Sequence, residues 1–279
     1  FIEPGKSMEL FANDIYICVV VMLLIAVGSI GFLVIFDLNK AIREKLTRKK
    51  GHIGLSYHSK IVIVTTAVLI VFGAVVFFVS EYNNILKNLN LGQQINISFF
   101  HAISARTAGF SVTDLSRIHD VTKFIMVILM FIGASPVSTG GGIKTTTIVV
   151  IFATVISVLK GEGETVLFKH RVNQKIVYSA IAIAVVSLKY ILLITGIIAA
   201  IESEQNISMF NILLETTSAY STTGLSASVT TSLKDASKVV LIVSMLIGRV
   251  GPLSLFLSIS GRKPNPNGKV LPEGKIIVG

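Results

Sequence analysis

Four stretches of this sequence run for about twenty residues or more with almost no charge: Ile15–Phe36, Ile61–Ser80, Ile176–Ile201 and Val239–Ser260. An α-helix needs about 20 apolar residues to cross a bilayer, because its backbone polar groups must be satisfied within the segment. Four such runs constrain the chain to thread a membrane before any motif is considered. Their only interior charges are Lys189 and Arg249. Composition agrees: 52% of the 279 residues are hydrophobic and 14% are charged, with a mean hydropathy of +0.78. A soluble domain of this size could not hide so much apolar surface. The fold class expected is an all-α membrane protein.

The net charge of +10 lies between the apolar runs rather than on amphipathic faces, which argues against a nucleic-acid partner. Lysine and arginine in short loops set membrane orientation. Lys40, Arg43, Lys45, Arg48, Lys49, Lys50 and Lys60 follow the first run. Lys160, Lys169, Arg171 and Lys175 form a second basic connection, and Arg262, Lys263, Lys269 and Lys275 a basic tail. These three regions are expected on the cytoplasmic side. The segments 81–120 and 202–238, with Glu81, Asp114, Glu202, Glu204 and Glu215, are expected outside. Cys18 is alone in an apolar run, and His52, His58, His101, His119 and His170 show no metal-ligand spacing. No nucleophile–base or paired-carboxylate set sits at a depth suited to catalysis, so the chain is read as a non-enzyme without a covalent cofactor.

Val121–Leu159 is also apolar, but one helix of that length would measure about 58 Å against a hydrocarbon core of about 30 Å. Gly133-Ala-Ser-Pro-Val-Ser-Thr-Gly-Gly-Gly142 interrupts it, and proline with three consecutive glycines is poor helix interior. A helix, an intramembrane loop and a second helix are therefore expected. Ile95–Ser104 and Met209–Ser218 are too short to span and suit re-entrant pore helices.

The chain repeats at an offset of 115 residues. Lys60-Ile-Val recurs as Lys175-Ile-Val, Thr107-Ala-Gly109 as Thr222-Thr-Gly224, and Met130-Phe-Ile-Gly133 as Met245-Leu-Ile-Gly248. Each unit reads span, re-entrant segment, Thr-x-Gly turn, span. Gly28-Ser-Ile-Gly31 matches Gly248-Arg-Val-Gly251, so the first run reads as the end of a preceding unit. The expected division is 1–50, 51–165 and 166–279. The opening Phe1 and the incomplete first unit suggest a part of a longer chain.

A cation entering a membrane must exchange water for other oxygens, and short extended backbone segments offer carbonyls without net charge. Thr107, Ala108 and Gly109, with Thr222, Thr223 and Gly224, are the candidates. Glycine permits the backbone angles that aim a carbonyl at an axis. A single Thr-x-Gly is an ordinary turn; two at the repeat offset, each after a re-entrant segment, favour a filter. The loop residues Gly133, Ser135, Pro136, Gly140, Gly141, Gly142 and Lys144 form a candidate gate. A phosphate-binding loop is disfavoured, because Ile143 separates Gly142 from Lys144 and a span precedes the loop. Arg249 belongs on a cavity or against a partner, since a charge inside a span is costly. The loop could also be a passive hinge, Arg249 a structural ion-pair member, and Lys189 a snorkelling residue.

The motifs ARTAGF at 105–110, GASPVSTGGGIKTTT at 133–147, STTGLS at 221–226, GRVGPL at 248–253 and the terminal EGKIIVG resemble the Trk/Ktr/HKT superfamily of cation transporters, and most closely its bacterial Ktr-type pore subunits. That resemblance implies four span–pore-helix–span repeats around a pseudo-four-fold pore, this chain holding the end of the second repeat and the third and fourth. It implies potassium as the transported ion at filter glycines 109 and 224, with sodium or mixed cations as the alternative. Residues 133–144 and Arg249 would form the constriction below. The implied partners are membrane lipid, a second copy in a homodimer, and a cytosolic ring of nucleotide-binding regulatory subunits, with Gly279 near the dimer interface. Val137 stands where such proteins commonly have glycine, which would stiffen the gate. Half a four-fold pore would not conduct, so transport is expected of a longer chain. The rivals outside transport are an intramembrane enzyme with Arg249 and Lys144 as anion binders and a non-conducting structural subunit.

Overall fold

The computed structural model describes residues 7–47 and 55–251. Arg48–Lys50, His52, the final residues of the fourth apolar run and the basic tail lie outside the described residues. Nine α-helices carry the described chain: α1 Ile15–Ile30, α2 Phe32–Leu46, α3 Tyr57–Glu81, α4 Leu91–Ser104, α5 Asp120–Phe131, α6 Thr145–Leu159, α7 Gln174–Ile201, α8 Met209–Tyr220 and α9 Asp235–Val250. A two-stranded antiparallel hairpin, β1 Val166–Leu167 and β2 His170–Arg171, sits between α6 and α7.

The order α3–α4–α5 is repeated by α7–α8–α9. Helices α3 and α7 are long and apolar enough to cross a membrane; the short α4 and α8 are the expected re-entrant helices. Successive units share one packing rule: α1 lies against α4, and α5 lies against α8. The closing helix of each unit thus supports the re-entrant helix of the next. Lipid is as apolar as leucine, so close contact between helices depends on packing and small residues. Gly73 of α3 illustrates this, because a Cβ there would lie 2.6 Å from Leu129 Cδ1 and 3.1 Å from Ala102 Cβ. The buried core around α4 and α8 includes Ile97, Phe100, Leu129, Met130, Leu214 and Leu225.

The long apolar stretch after Val121 divides as expected into α5, a loop over 132–144, and α6. Two other expectations are corrected. Ile15–Phe36 is not one continuous span: α1 and α2 meet at 102° across Gly31. Gly31 has φ +94, and a Cβ there would lie 2.5 Å from Pro136 O, so only glycine fits the bend and its neighbour. Val239–Ser260 is not helical throughout either, because α9 ends at Val250 against Gly251 at φ +88. The match between 28–31 and 248–251 is thus also a match of helix ends: ψ is 145° at Gly31 and 136° at Gly251.

Two buried carboxylates join the spans at the end opposite the basic loops. Glu81 Oε1 accepts the His119 amide at 2.9 Å and the Thr122 hydroxyl, and its Oε2 accepts Asn84 Nδ2 at 2.6 Å. Glu202 Oε1 accepts the Lys234 amide at 2.8 Å and the Ser237 hydroxyl at 2.6 Å. Each carboxylate thereby satisfies a donor at the open N-terminus of α5 or α9, where the helix dipole also favours negative charge. His119 and Lys234 obey the 115-residue offset, as do Thr122 and Ser237; the two glutamates lie 121 apart. The longer α7 delivers its carboxylate from a different sequence position to the same place.

Candidate functional site

Helices α4 and α8 each end in a tight turn built from the same backbone conformations. Thr107 and Thr222 have φ of 71° and 53°, and Gly109 and Gly224 have φ of 76° and 93°. A β-branched residue in the left-handed region is a real outlier, and such strain persists only where surrounding structure holds it. The amides supply that hold. Ala108 N–H donates to Ser104 O at 3.1 Å, Thr223 N–H to Ser218 O at 2.9 Å, and Gly224 N–H to Ser218 Oγ at 3.0 Å. With the amides directed back to the helix ends, the carbonyl oxygens of residues 107–109 and 222–224 accept no hydrogen bond among the described residues. The two turns abut: a Cβ at Gly109 would collide with Thr223 O and lie 2.9 Å from Gly224 Cα. On one side of this junction a cavity of about 250 Å³ is lined by Glu9, Gly109, Ser111, Gly224, Ser226 and Thr230.

The 132–144 loop lies directly against the threonines of both turns. A Cβ at Gly140 would overlap Thr107 Oγ1, and one at Gly141 would sit 2.5 Å from Thr222 Oγ1 and 2.8 Å from Ser221 O. Gly133 is packed as closely on Gly141, and Gly142 has φ +69. Ser135 is buried, and its amide donates to Ser29 O at 3.1 Å. Pro136 abuts Gly31. Phe32 N–H donates to Val137 O at 3.0 Å, and Thr139 Oγ1 donates to Gly28 O at 3.3 Å. The bend between α1 and α2 thus grips the loop at four points, three of them hydrogen bonds.

Two cations grip it from the other side. Lys144 Nζ donates to Gly140 O at 2.6 Å, and Arg249 Nη1 donates to Thr139 O. Neither has a carboxylate partner among the described residues. Among the described residues Arg249 is held by a backbone carbonyl of the loop. Lys189 is exposed on α7 beside the exposed Leu188 and Leu192. Val137 is 61% exposed at φ 56°, a left-handed conformation that explains why glycine suits this position.

All the filter and gate candidates therefore come together, from four separate parts of the chain. Three contributors escape a reading by motif. Ser29 and Phe32 act through backbone groups, which carry no side-chain signature. Arg106 lies inside ARTAGF but faces Ser221 in the repeat; it is 1% exposed, and its guanidinium nitrogens have no hydrogen-bond partner among the described residues. A cavity of about 270 Å³ beside it is lined by Gly28, Ser29, Thr107 and Thr139. That break in the repeat was the available signal. No cluster of histidine, cysteine or carboxylate suited to a resident metal occurs among the described residues.

Helices α4 and α8 thus end in paired Thr-x-Gly turns whose carbonyls accept no hydrogen bond among the described residues, packed against the glycine-rich loop between α5 and α6. Residues 3–269 match the TrkH family, described as cation transport protein. The chain belongs to that family. It is 35% identical over 278 residues to Ktr system potassium uptake protein B of Bacillus subtilis strain 168, covering 99% of this chain and 59% of that protein. It is 36% identical over 277 residues to the Vibrio alginolyticus protein of the same name, covering 99% and 58%. Its fold matches the potassium transporter TrkH from Vibrio parahaemolyticus with a TM-score of 0.71 at 17% identity, over 91% of this chain and 54% of that one. The chain spans a little under three-fifths of the length of these curated relatives.

Proposed function

We propose that this chain forms part of a potassium-selective, gated pore for potassium uptake across the cell membrane, as the pore-forming subunit of a Ktr-type system. The observation that carries this reading is the stack of Gly140 and Gly141 beneath Thr107 and Thr222. A plug held under a ring of free carbonyls blocks an ion path without blocking the filter itself. Potassium sheds its water into the carbonyls of residues 107–109 and 222–224, which replace the hydration shell. Lys144 and Arg249 hold the loop by its carbonyls and place positive charge on the path, which disfavours a cation there until the loop moves.

The succession of α1 on α4 and α5 on α8 suits repeats arranged around an axis, with the remaining repeats of a pseudo-four-fold ring supplied by a longer chain. Orientation follows the basic loops, with the α2–α3 and α6–α7 connections and the C-terminus cytoplasmic. Pairing into a homodimer and control by a cytosolic nucleotide-binding ring belong to the same proposal. The test is complementation in cells that lack other potassium uptake. The full-length chain with its regulatory subunit is expected to restore growth at low potassium and to take up rubidium. Abundant protein in the membrane with neither effect overturns the reading in favour of a non-conducting subunit.

A further inference from the structure

The two re-entrant helices differ in what they bury behind their turns. Helix α8 carries Glu215 where the repeat places Phe100 in α4. Glu215 is 6% exposed and has no lysine or arginine partner among the described residues. Its carboxylate instead gathers donors from the segment that follows the Thr-x-Gly turn. Oε1 accepts the Ser226 hydroxyl and Oε2 accepts the Thr230 hydroxyl at 3.0 Å. The backbone amides of Ala227 and Val229 also donate to it. Glu215 shares a cavity of about 390 Å³ with Thr222, Thr223 and Gly224. In the other unit the same segment is tied differently: His101 Nε2 meets Thr113 Oγ1 at 2.8 Å, and Ser111 N–H donates to Ser7 Oγ at 3.0 Å.

We infer that Glu215 is a positioning residue for the second turn, fixing the spacing of the Thr222–Gly224 carbonyls by clamping residues 226–230 against α8. This deepens the pore reading and rests on it. A carboxylate can accept four donors at once, whereas glutamine replaces one of its oxygens by an NH2 that only donates and cannot receive a backbone amide. Selection between potassium and sodium depends on how carbonyls are held, so a loosened clamp changes selectivity before it changes the amount of folded protein. The phenylalanine at position 100 makes the clamp specific to one of the two turns, and with it an asymmetry in how rigidly the ring is held.

The experiment compares rubidium and sodium uptake by the full-length protein in its native subunit assembly, for the parent, Glu215→Gln, Ser226→Ala and Thr230→Ala. Membrane abundance is measured in parallel. Glu215→Gln is expected to lower the rubidium-to-sodium ratio about tenfold. Each hydroxyl deletion is expected to lower it about two- to threefold, and to add little on top of Glu215→Gln, because all three changes break one clamp. If Glu215→Gln does not accumulate, the single hydroxyl deletions decide. Parental ratios in Ser226→Ala and Thr230→Ala at parental abundance overturn the clamp. A parent that carries neither ion overturns the pore reading instead, and the two failures are thereby distinguished.

Discussion

At the scale of the residue, the site depends on places where a side chain is absent and on three where the backbone is strained, at Thr107, Val137 and Thr222. Gly140 has no room for a methyl group beside Thr107 Oγ1. Gly140→Ala is therefore expected to push the loop away from the turn and raise basal rubidium uptake several-fold. Uptake at the parental level in vesicles would contradict the blocking role. Val137 carries the opposite strain. A non-glycine residue in the left-handed region costs roughly 1–2 kcal/mol, so Val137→Gly should deepen the observed loop position. The expected result is a several-fold lower basal flux at unchanged protein level, read in the same vesicles. Val137 was legible as a departure from glycine, but its left-handed backbone was not, since φ depends on what Pro136 and Phe32 are held against. The Thr-x-Gly turns were legible because two copies announced each other. Arg106 and Glu215 showed only as breaks in the repeat, which mark a difference between the two turns without saying what either side chain does.

At the scale of the element, the glycine-rich loop is a piece of chain held by its neighbours' backbones. Its own sequence shows only that it is not helix. The grip of the α1–α2 bend was illegible because Ile15–Phe36 carries the hydropathy of an unbroken span, while the bend needs only Gly31 and a neighbour that fills its missing Cβ. Arg249→Ala removes the contact to Thr139 O from α9 and leaves Lys144 alone on that side. Basal flux is expected to rise, and Arg249→Lys is expected to restore control only in part, because the ammonium lacks the reach of the guanidinium fork.

A second joint ties α2 to α3. Asp37 Oδ2 accepts Ser59 Oγ at 2.6 Å and also the Ser56 hydroxyl. Those hydrogen bonds, from Ser56 first and Ser59 second, hold the Asp37 carboxyl below its ordinary value of 3.8. A carboxylate lowered in this way contributes stability above its unfolded value, and the contribution is lost as pH falls through the folded value. Asp37→Asn should thus melt below the parent in detergent at pH 7. The gap should persist at pH 5 and close only below about pH 4. A gap that closes between pH 7 and pH 5 would contradict the joint.

At the scale of the whole molecule, hydropathy and the 115-residue offset were enough to read α3, α7 and the short helices α4 and α8 in their order, but not the breaks at Gly31 and Gly251. Sequence could not show that Glu81 and Glu202 perform one task, because they fall at unmatched offsets and reach equivalent helix N-termini only because α3 and α7 differ in length. Loss of either should destabilise the join between spans. Glu81→Gln and Glu202→Gln are each expected to cost about 1–3 kcal/mol, measured as a lower melting temperature in detergent. The exposed apolar face of α9, with Val239, Ile242 and Leu246, continues the pattern by which α5 receives α8. In the proposed ring it receives the re-entrant helix of a further repeat. The 279-residue chain expressed by itself should accordingly enter the membrane yet carry no rubidium.

The central claim is that the two Thr-x-Gly turns select potassium. Its most direct test is the ratio of rubidium to sodium uptake for the full-length protein and its Gly109→Ser variant at matched membrane abundance. A Cβ at position 109 meets Thr223 O and Gly224, so the added side chain must disturb both turns at once. The account predicts that the variant keeps or gains sodium uptake while its rubidium uptake falls, so that the ratio drops at least tenfold. An unchanged ratio in a variant that still transports would contradict the assignment of these turns as the filter.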